Sequence, residues 1–478
     1  MVSVLAFDLG ASGGRAVVGH LTGQHLAIRD IHRFPNEPVR VHAHLYWDIL
    51  RLFHEVKQGM RATRLEEYGN IQSVGIDTWG VDFGLIGQHG ELLGNPYHYR
   101  DAHTLGIMEE VWQIVPQQEL FARTGIQSLP LNTLYQLYAL KKAESPLLAQ
   151  AESLLMIPDL LRYFLTGERH SEWTNASTTQ LCNPDTQTWD NELLQRVGLP
   201  RRIFTPAVSP GTFAGSLLAS VSEETGVPTL PVIAVAEHDT ASAVAAIPTE
   251  EETFAYLSCG TWSLLGTEVK HPILTEQAFE WNVTNEGGVN GTFRLLKNVT
   301  GLWLLQECQR AWRNEGKHFS HAQEAAMIEQ ARPFQAFLDP DASAFVHPVH
   351  MPRQIQQYCR ETGQIVPVTE GELMRCIAES LACKYRFVLA RIEQLTQKRF
   401  SGLHMVGGGI QNTFLCQCTA NVLGSPVWAG PQEATVIGNV LVQYLALEQL
   451  QTLQQGRRIV RNSFPITTYV PQETGAWE

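Results

Sequence analysis

Residues 4–19 read V-L-A-F-D-L-G-A-S-G-G-R-A-V-V-G: an apolar run closed by Asp8, a glycine-rich turn, and a second apolar run opening after Arg15. Short apolar runs bounded by turn residues are the pattern of buried strands, so this stretch predicts strand, turn, strand. Glycines allow the backbone to approach a polyphosphate, and successive N–H groups in such a turn form an anion-binding concavity. Because a strand follows, this is neither a Walker loop nor a dinucleotide fingerprint. The same residues also suit a plain hairpin turn. Asp8, at the strand end, is placed to hold a hydrated magnesium ion near the phosphates, and Arg15 to neutralise their charge.

Outward from this stretch, residues 25–34 alternate as a third strand, and a helix is expected from Trp47 to about Met60. Two strands, 71–77 and 81–87, flank Thr78-Trp79-Gly80, and residues 104–200 read as mostly helical, with amphipathic stretches at Leu131–Lys142 and Leu154–Leu165. The apolar run Pro231–Ala236 ends in Glu237-His238-Asp239-Thr240 and feeds a small-residue helix at Ala241–Ala246. From Thr253, F-A-Y-L-S, the turn Cys259-Gly260-Thr261 and W-S-L-L-G-T repeat the order of residues 4–19. Two related halves, each with a phosphate turn, describe an α/β protein of two actin-like ATPase (ribonuclease H-like) domains with a ligand cleft between them. Further on come a long core helix through Leu373, Ile377, Leu381, Val388 and Ile392, a strand L-H-M-V, the turn Gly407-Gly408-Gly409, a helix 411–422, a strand near Val427 and a helix 436–450. The expected domains are 1–247 and 248–460, with a tail at 461–478.

Length and composition narrow the function. At about 150 residues per domain, 478 residues predict three domains or two large ones. A formal charge of −13 without a block of like charge argues against nucleic acid and anionic membranes as partners. No apolar run approaches the ~18 residues of a spanning helix. The eight cysteines lack metal-finger spacing and read as reduced thiols of a cytoplasmic protein, with a Cys359–Cys376 bridge as the remaining possibility. Nothing in the pattern speaks to oligomeric state.

Two positions carry chemistry beyond the phosphate turns. Ligands of α/β sheets collect beyond the carboxyl ends of the strands, and Asp239 lies there, placed to accept the proton of an attacking hydroxyl. An acidic residue between strand and helix also serves as an N-cap. The Gly407–Gly409 turn opening a helix lets a flat adenine lie close to backbone, with Asn412 and Gln306 as polar contacts; alone it is a tight turn.

These residues resemble a known family. D-L-G-A-S-G-G-R (8–15), G-I-D-T-W-G-V-D-F (75–83), N-T-L-Y-Q-L (132–137), E-H-D-T-A-S-A (237–243), Y-L-S-C-G-T-W-S-L (256–264), L-L-K-N-V-T-G-L-W-L-L-Q (295–306) and V-G-G-G-I-Q-N (406–412) occur in the order and spacing of the FGGY carbohydrate kinases, in their bacterial rhamnulokinase branch. The resemblance runs from residue 4 to about 445. It implies transfer of the γ-phosphoryl of ATP to the carbon-1 hydroxyl of L-rhamnulose, with ATP and Mg²⁺ as cofactors. It also implies Ala11, Ser12, Gly13, Gly14, Arg15 and Thr261 as phosphate positions and Gln306 and Gly408 as nucleotide positions. Gly80, His238, Asp239, Thr240 and Asn298 become sugar positions, Asp239 the base, and Asp8 the metal aspartate. Two departures stand out: Gly13 and Gly14 replace hydroxyl residues of the family's first turn, and in Y-R-D-A-H-T (99–104) His103 stands where relatives often carry Arg. The competing expectations are a sister kinase of L-fuculose or L-xylulose and a non-catalytic actin-like regulator.

Overall fold

The computed structural model describes residues 2–65, 71–346, 348–472 and 474–477. The chain divides into two compact units, residues 1–250 with 268–295 and 434–464, and residues 251–267 with 296–433 and 465–478.

In the first unit, β1 (Val2–Leu9), β2 (Gly13–Thr22), β3 (His25–Pro35), β4 (Ile71–Thr78), β5 (Thr212–Ser216) and β6 (Pro231–Ala234) form a sheet in the order β5-β6-β4-β1-β2-β3. β1 runs antiparallel to β2, with Asp8 opposite Arg15, and parallel to β4, with Asp8 opposite Asp77. β6 is parallel to β4, and Thr78 bridges to His238. Three chain segments therefore end side by side at their carboxyl ends, carrying Asp8, Asp77 and Asp239. Val4 to Phe7 are wholly buried because helices cover both sheet faces. The Ile49–Leu65 helix meets Phe7 and Ala16 at Gly59, and the Ala434–Ala446 helix meets Gly19 at Val440, on the opposite face of β2.

In the second unit, β7 (Ala255–Cys259), β8 (Trp262–Val269), β9 (Phe293–Thr300), β10 (Leu403–Val406), β11 (Val427–Ala429) and β12 (Thr467–Tyr469) follow the order β9-β8-β7-β10-β11-β12. β7 is antiparallel to β8 and parallel to β10. The Glu370–Thr396 helix, 27 residues and roughly 40 Å long, starts at a Thr369–Glu372 capping box and buries the expected apolar stripe. The internal repeat is plain. Each unit opens with a hairpin closed by a backbone bond, Gly10 N–H to Gly13 O at 2.9 Å and Gly260 N–H to Trp262 O at 2.9 Å, followed by a parallel strand beside the first.

Each compact unit gathers several chain segments: the Ala434–Ala446 helix, apolar nearly all round, finds its cover on the first sheet, and β12, within residues 461–478, pairs with β11. Other expectations are corrected. The Leu154–Leu165 stretch splits into a strand, Ser153–Met156, and a helix, Ile157–Thr166, started by Pro158 in its first turn. The strand expected at 81–87 shortens to Phe83–Ile86 because Val81 adopts a left-handed φ of 68°. All eight cysteines are free, including Cys359 and Cys376. No helix among the described residues is long and apolar enough to cross a membrane.

Candidate active site

The Gly10–Gly14 turn, the first phosphate candidate, is braced from below. Asn36 Nδ2 donates to Gly10 O at 2.8 Å and Asn36 N–H to Ser12 O at 3.3 Å, holding two carbonyl oxygens that would otherwise repel phosphate. Arg15 Nε and Nη2 both donate to Asp8 Oδ2, at 3.0 and 2.7 Å, so the cation and the metal candidate form one half-buried pair. Gly14 has a packing reason for its identity: a Cβ there would lie 2.3 Å from the Phe34 ring. The departure from the family's hydroxyl residues is thus tied to Phe34.

Beyond the strand ends, acidic groups crowd. Asp77 is fully buried, held by Asn439 Nδ2 at 2.7 Å, while its Oδ1 has no protein partner. Burial first, then the neighbouring Asp8, pushes the Asp77 carboxyl well above the usual carboxylate range. Asn439 is held in turn by Gln443 Nε2 at 2.8 Å, and Gln443 accepts from Ser73 Oγ at 2.7 Å, a polar ladder along the Ala434–Ala446 helix. Asp239 begins the Asp239–Ala245 helix with a side chain 31% exposed, and its Oδ1 accepts from Thr240 N–H at 2.5 Å and Thr240 Oγ1 at 3.1 Å. Burial raises its carboxyl, His238 counteracts this, and Asp8 adds to it. Crowded carboxylates with an orphaned buried oxygen suit a divalent cation. No cluster of three or more ligating side chains exists among the described residues, but magnesium keeps waters and substrate phosphates and needs only one or two carboxylates. Asp8 and Asp77 fit that donor set.

His238 is fixed from several sides. Its backbone N–H donates to Thr174 Oγ1 at 3.1 Å, its ring Nδ1 lies 3.0 Å from Arg294 Nη2, and its ring Nε2 lies 3.4 Å from Asp239 Oδ1. Arg294, wholly buried, also reaches Glu286 Oε2 at 3.1 Å and Gly287 O at 2.8 Å. Behind the strand end, Arg162 Nε holds Glu237 at 2.7 Å and its Nη2 holds Asp159 at 2.5 Å, all three side chains buried. Glu172 caps the next turn through Thr174 and Asn175, and burial raises its carboxyl to about 7. A Cβ on Gly80 would come within 3.0 Å of Thr178 Oγ1 and 3.3 Å of His238 Nε2, so the backbone there runs beside the sugar candidates. Val81, next in sequence, is strained in the left-handed region and held by Thr178 Oγ1 and Thr133 Oγ1.

Trp79 and Asp82 turn inward. Asp82 accepts from Trp47 Nε1 at 2.6 Å, Trp79 Nε1 at 3.0 Å, Tyr99 N–H at 3.1 Å and Gln136 Nε2 at 2.9 Å, and burial raises it to about 7. Both belong to the core below Gly80. His103 bonds Asp101 at 2.9 Å through Nδ1 and stacks on Tyr97 at 4.4 Å, so it buttresses its own loop.

In the second unit, Thr261 Oγ1 donates to Gln306 Oε1 at 3.1 Å, and Thr261 O accepts from the N–H groups of Gly301 and Trp303, both at 3.2 Å. Two expected nucleotide residues thus touch. Gly407 has a left-handed φ of 89°, and a Cβ on Gly409 would lie 2.3 Å from Cys259 Sγ, so the glycine turn presses on the end of β7. Gly408 differs: a Cβ there meets no protein atom within 4 Å. Asn412 accepts from Leu415 N–H at 3.0 Å as a helix N-cap, which occupies the oxygen expected for adenine. Asn298 lies in β9 in the second unit, apart in the chain's division from Gly80, His238, Asp239 and Thr240 in the first. Sequence reasoning missed Asn439, Gln443, Glu286, Arg294, Glu172 and Arg162, since their partners Asp77, Ser73, His238 and Glu237 lie far away along the chain.

The paired hairpin-and-strand units are those of the two-domain actin-like ATPase fold. The N-terminal domain model of the FGGY family of carbohydrate kinases matches residues 3–246 and the C-terminal one residues 255–447, and the chain belongs to that family. It is 44% identical over 475 residues to a rhamnulokinase of Bacteroides thetaiotaomicron, covering 99% of this chain and 96% of the relative. It is 40% identical over 468 residues to a rhamnulokinase of Bacillus subtilis, covering 98% and 95%. Among solved structures, a xylulose kinase from Lactobacillus acidophilus matches with a TM-score of 0.80 at 16% identity, covering 100% of this chain and 96% of that one. This last likeness speaks to the fold alone.

Proposed function

We propose that the chain transfers the γ-phosphoryl group of ATP to the carbon-1 hydroxyl of L-rhamnulose, giving L-rhamnulose 1-phosphate and ADP in rhamnose breakdown. The near full-length similarity to proteins named rhamnulokinase supports this substrate. The observation that carries the chemistry is Asp239, half-exposed past the end of β6 among acidic strand ends, with one carboxylate oxygen bound by Thr240. Asp239 takes the hydroxyl proton, the Gly80 backbone and the ring face of His238 border the sugar, and Arg15 with the N–H groups of residues 11–14 faces the phosphates. Thr261, Gln306 and Gly408 meet the nucleotide, and Asn298 is assigned a sugar hydroxyl. A bound Mg²⁺, held by Asp8 and Asp77, supplies charge neutralisation on the phosphate oxygens. Such enzymes act mostly by positioning and electrostatics, so the precision of these side chains matters more than any covalent step. A cytoplasmic location and the absence of nucleic-acid partners belong to the same proposal.

A coupled ADP-release assay with L-rhamnulose, L-fuculose and D-xylulose tests it. The expected result is the highest kcat/KM for L-rhamnulose. One methyl contact is worth only about 1–3 kcal/mol, whereas an unpaired buried hydroxyl partner costs far more, so hydroxyl stereochemistry should dominate the ranking. A preference for L-fuculose or D-xylulose would make the chain a sister kinase, and no ADP release with any ketose would favour a regulator.

Gly408 permits a clean test of the nucleotide assignment. Because a side chain there meets no protein atom, Gly408→Leu should leave thermal stability unchanged while obstructing a ligand lying on the turn. Overpacking of about 1–3 kcal/mol predicts roughly 5- to 150-fold weaker ATP binding by calorimetry. Lost sugar binding with ATP binding intact would put the turn on the other ligand.

A further inference from the structure

We propose that Arg294 is a positioning residue: it holds His238 in the tautomer with its proton on Nε2, and so aims that N–H at the carboxylate of Asp239. The inference deepens the reading of Asp239 as base and rests on it. An arginine guanidinium has only donors. Its Nη2 lies 3.0 Å from His238 Nδ1, so Nδ1 must accept and cannot carry a proton. Glu286 offers the competing arrangement, with Oε2 3.4 Å from His238 Nδ1. A proton on Nδ1 for that contact would point an N–H at the nearer Arg294 N–H. Glu286 instead neutralises Arg294 at 3.1 Å, in a pocket where the arginine side chain is wholly buried and the glutamate nearly so.

The consequence reaches the base. Nε2 lies 3.4 Å from Asp239 Oδ1, the same oxygen that Thr240 N–H and Oγ1 engage. Thr240 donates twice to Oδ1 and the Nε2–H faces the same oxygen across a longer electrostatic contact, which leaves Oδ2 to take the hydroxyl proton. If the histidine proton moved to Nδ1, the Nε2 lone pair would face the carboxylate and push it aside. Gly80 keeps this contact open, because a Cβ at that position would already stand 3.3 Å from Nε2.

The test combines a spectroscopic and a kinetic readout. Protein labelled with ¹⁵N-histidine, with His238 assigned through His238→Asn, should show His238 as the Nε2–H tautomer in long-range N–H correlation spectra. Removing the arginine alone would strand a buried carboxylate, so Arg294→Met is paired with Glu286→Gln. That pair removes the obligate donor at Nδ1, so His238 should lose its single Nε2–H tautomer and show a mixture with Nδ1–H, and kcat should fall about 10- to 100-fold, a usual scale for a group that orients a functional ligand, with KM for ATP unchanged. Arg294→Lys, which keeps a donor and the charge, should restore part of both. An Nδ1–H tautomer in the unaltered protein overturns the proposal even if the paired variant does not fold, and so does a folded paired variant with unchanged kcat. The base reading fails separately: if Asp239→Asn keeps its turnover while the unaltered protein shows Nε2–H, the base assignment is lost and the tautomer assignment stands.

Discussion

Asp239→Asn should lower kcat by about 100-fold or more, the scale of a positioned general base, while the dissociation constant for ATP stays nearly the same. Asparagine keeps the shape and retains an oxygen for Thr240 N–H and Oγ1, which now hold Oδ1 at 2.5 and 3.1 Å. What it loses is proton affinity. The phosphate turn and the Gly407–Gly409 turn lie on other elements, so binding of the nucleotide has no reason to change. The pH dependence follows from the direction of the shift. Burial holds the folded-state carboxyl above its ordinary value, and the base works only when ionised. In the unaltered enzyme kcat should therefore fall on acidification at a pH above the usual carboxylate range, and this limb should vanish in the variant. Stability runs the opposite way: a carboxyl raised on folding favours the native state at low pH and loses that contribution as pH rises through the folded value. At pH 8 the variant should melt no lower than the parent. Single-turnover kinetics and a pH series of melting curves check both, and near-normal turnover in the variant would end the assignment.

The parts of this site that can be read from sequence are those whose chemistry is local. Apolar runs broken by glycine mark β1, its turn and β2, because a strand must alternate with a turn within a few residues. Asp239 is visible because it ends an apolar strand and opens a helix of small residues. The rest is long-range. Asn439 and Gln443 sit one turn apart in an apolar helix, and nothing near them says that their partners are Asp77 and Ser73, some 360 residues away. Arg162 and Glu237 form a buried pair across 75 residues. Asp82, in the motif 75–83, is consumed by four protein donors, three of them side chains on other stretches of the chain or across the turn, which the motif itself does not reveal. Interleaving of the two units has the same origin: whether the Ala434–Ala446 helix covers the first sheet or the second depends on shape complementarity between its one glycine and a distant helix.

That glycine sets the second large effect. Gly438→Ala should destabilise the protein by about 3 kcal/mol or more, the upper end for overpacking, although alanine is the better helix former by about 1 kcal/mol. The clash decides the sign. A Cβ on Gly438 would lie 1.7 Å from Ser242 O and 2.4 Å from Ser242 C, which are backbone atoms of the Asp239–Ala245 helix and cannot rotate away. The two helices must separate by more than an ångström, and the one that moves carries Asp239 at its start, while Asn439 on the other holds Asp77. A displacement near 1 Å at a catalytic group costs on the order of 100-fold in rate, so kcat should drop together with stability. At about 2.1 cal/mol/K of unfolding entropy per residue, a chain of 478 residues shifts its melting point by only about 1 °C per kcal/mol, which predicts a fall of roughly 3 °C or more. Gly456→Ala is the control: its Cβ meets the flexible ends of Leu441, at 3.1 Å, and Leu450, at 3.5 Å, rather than backbone, and should lower neither quantity appreciably. If Gly438→Ala melts and turns over like the parent, the two helices do not approach this closely, and the base is held by its strand and by His238 rather than by helix packing.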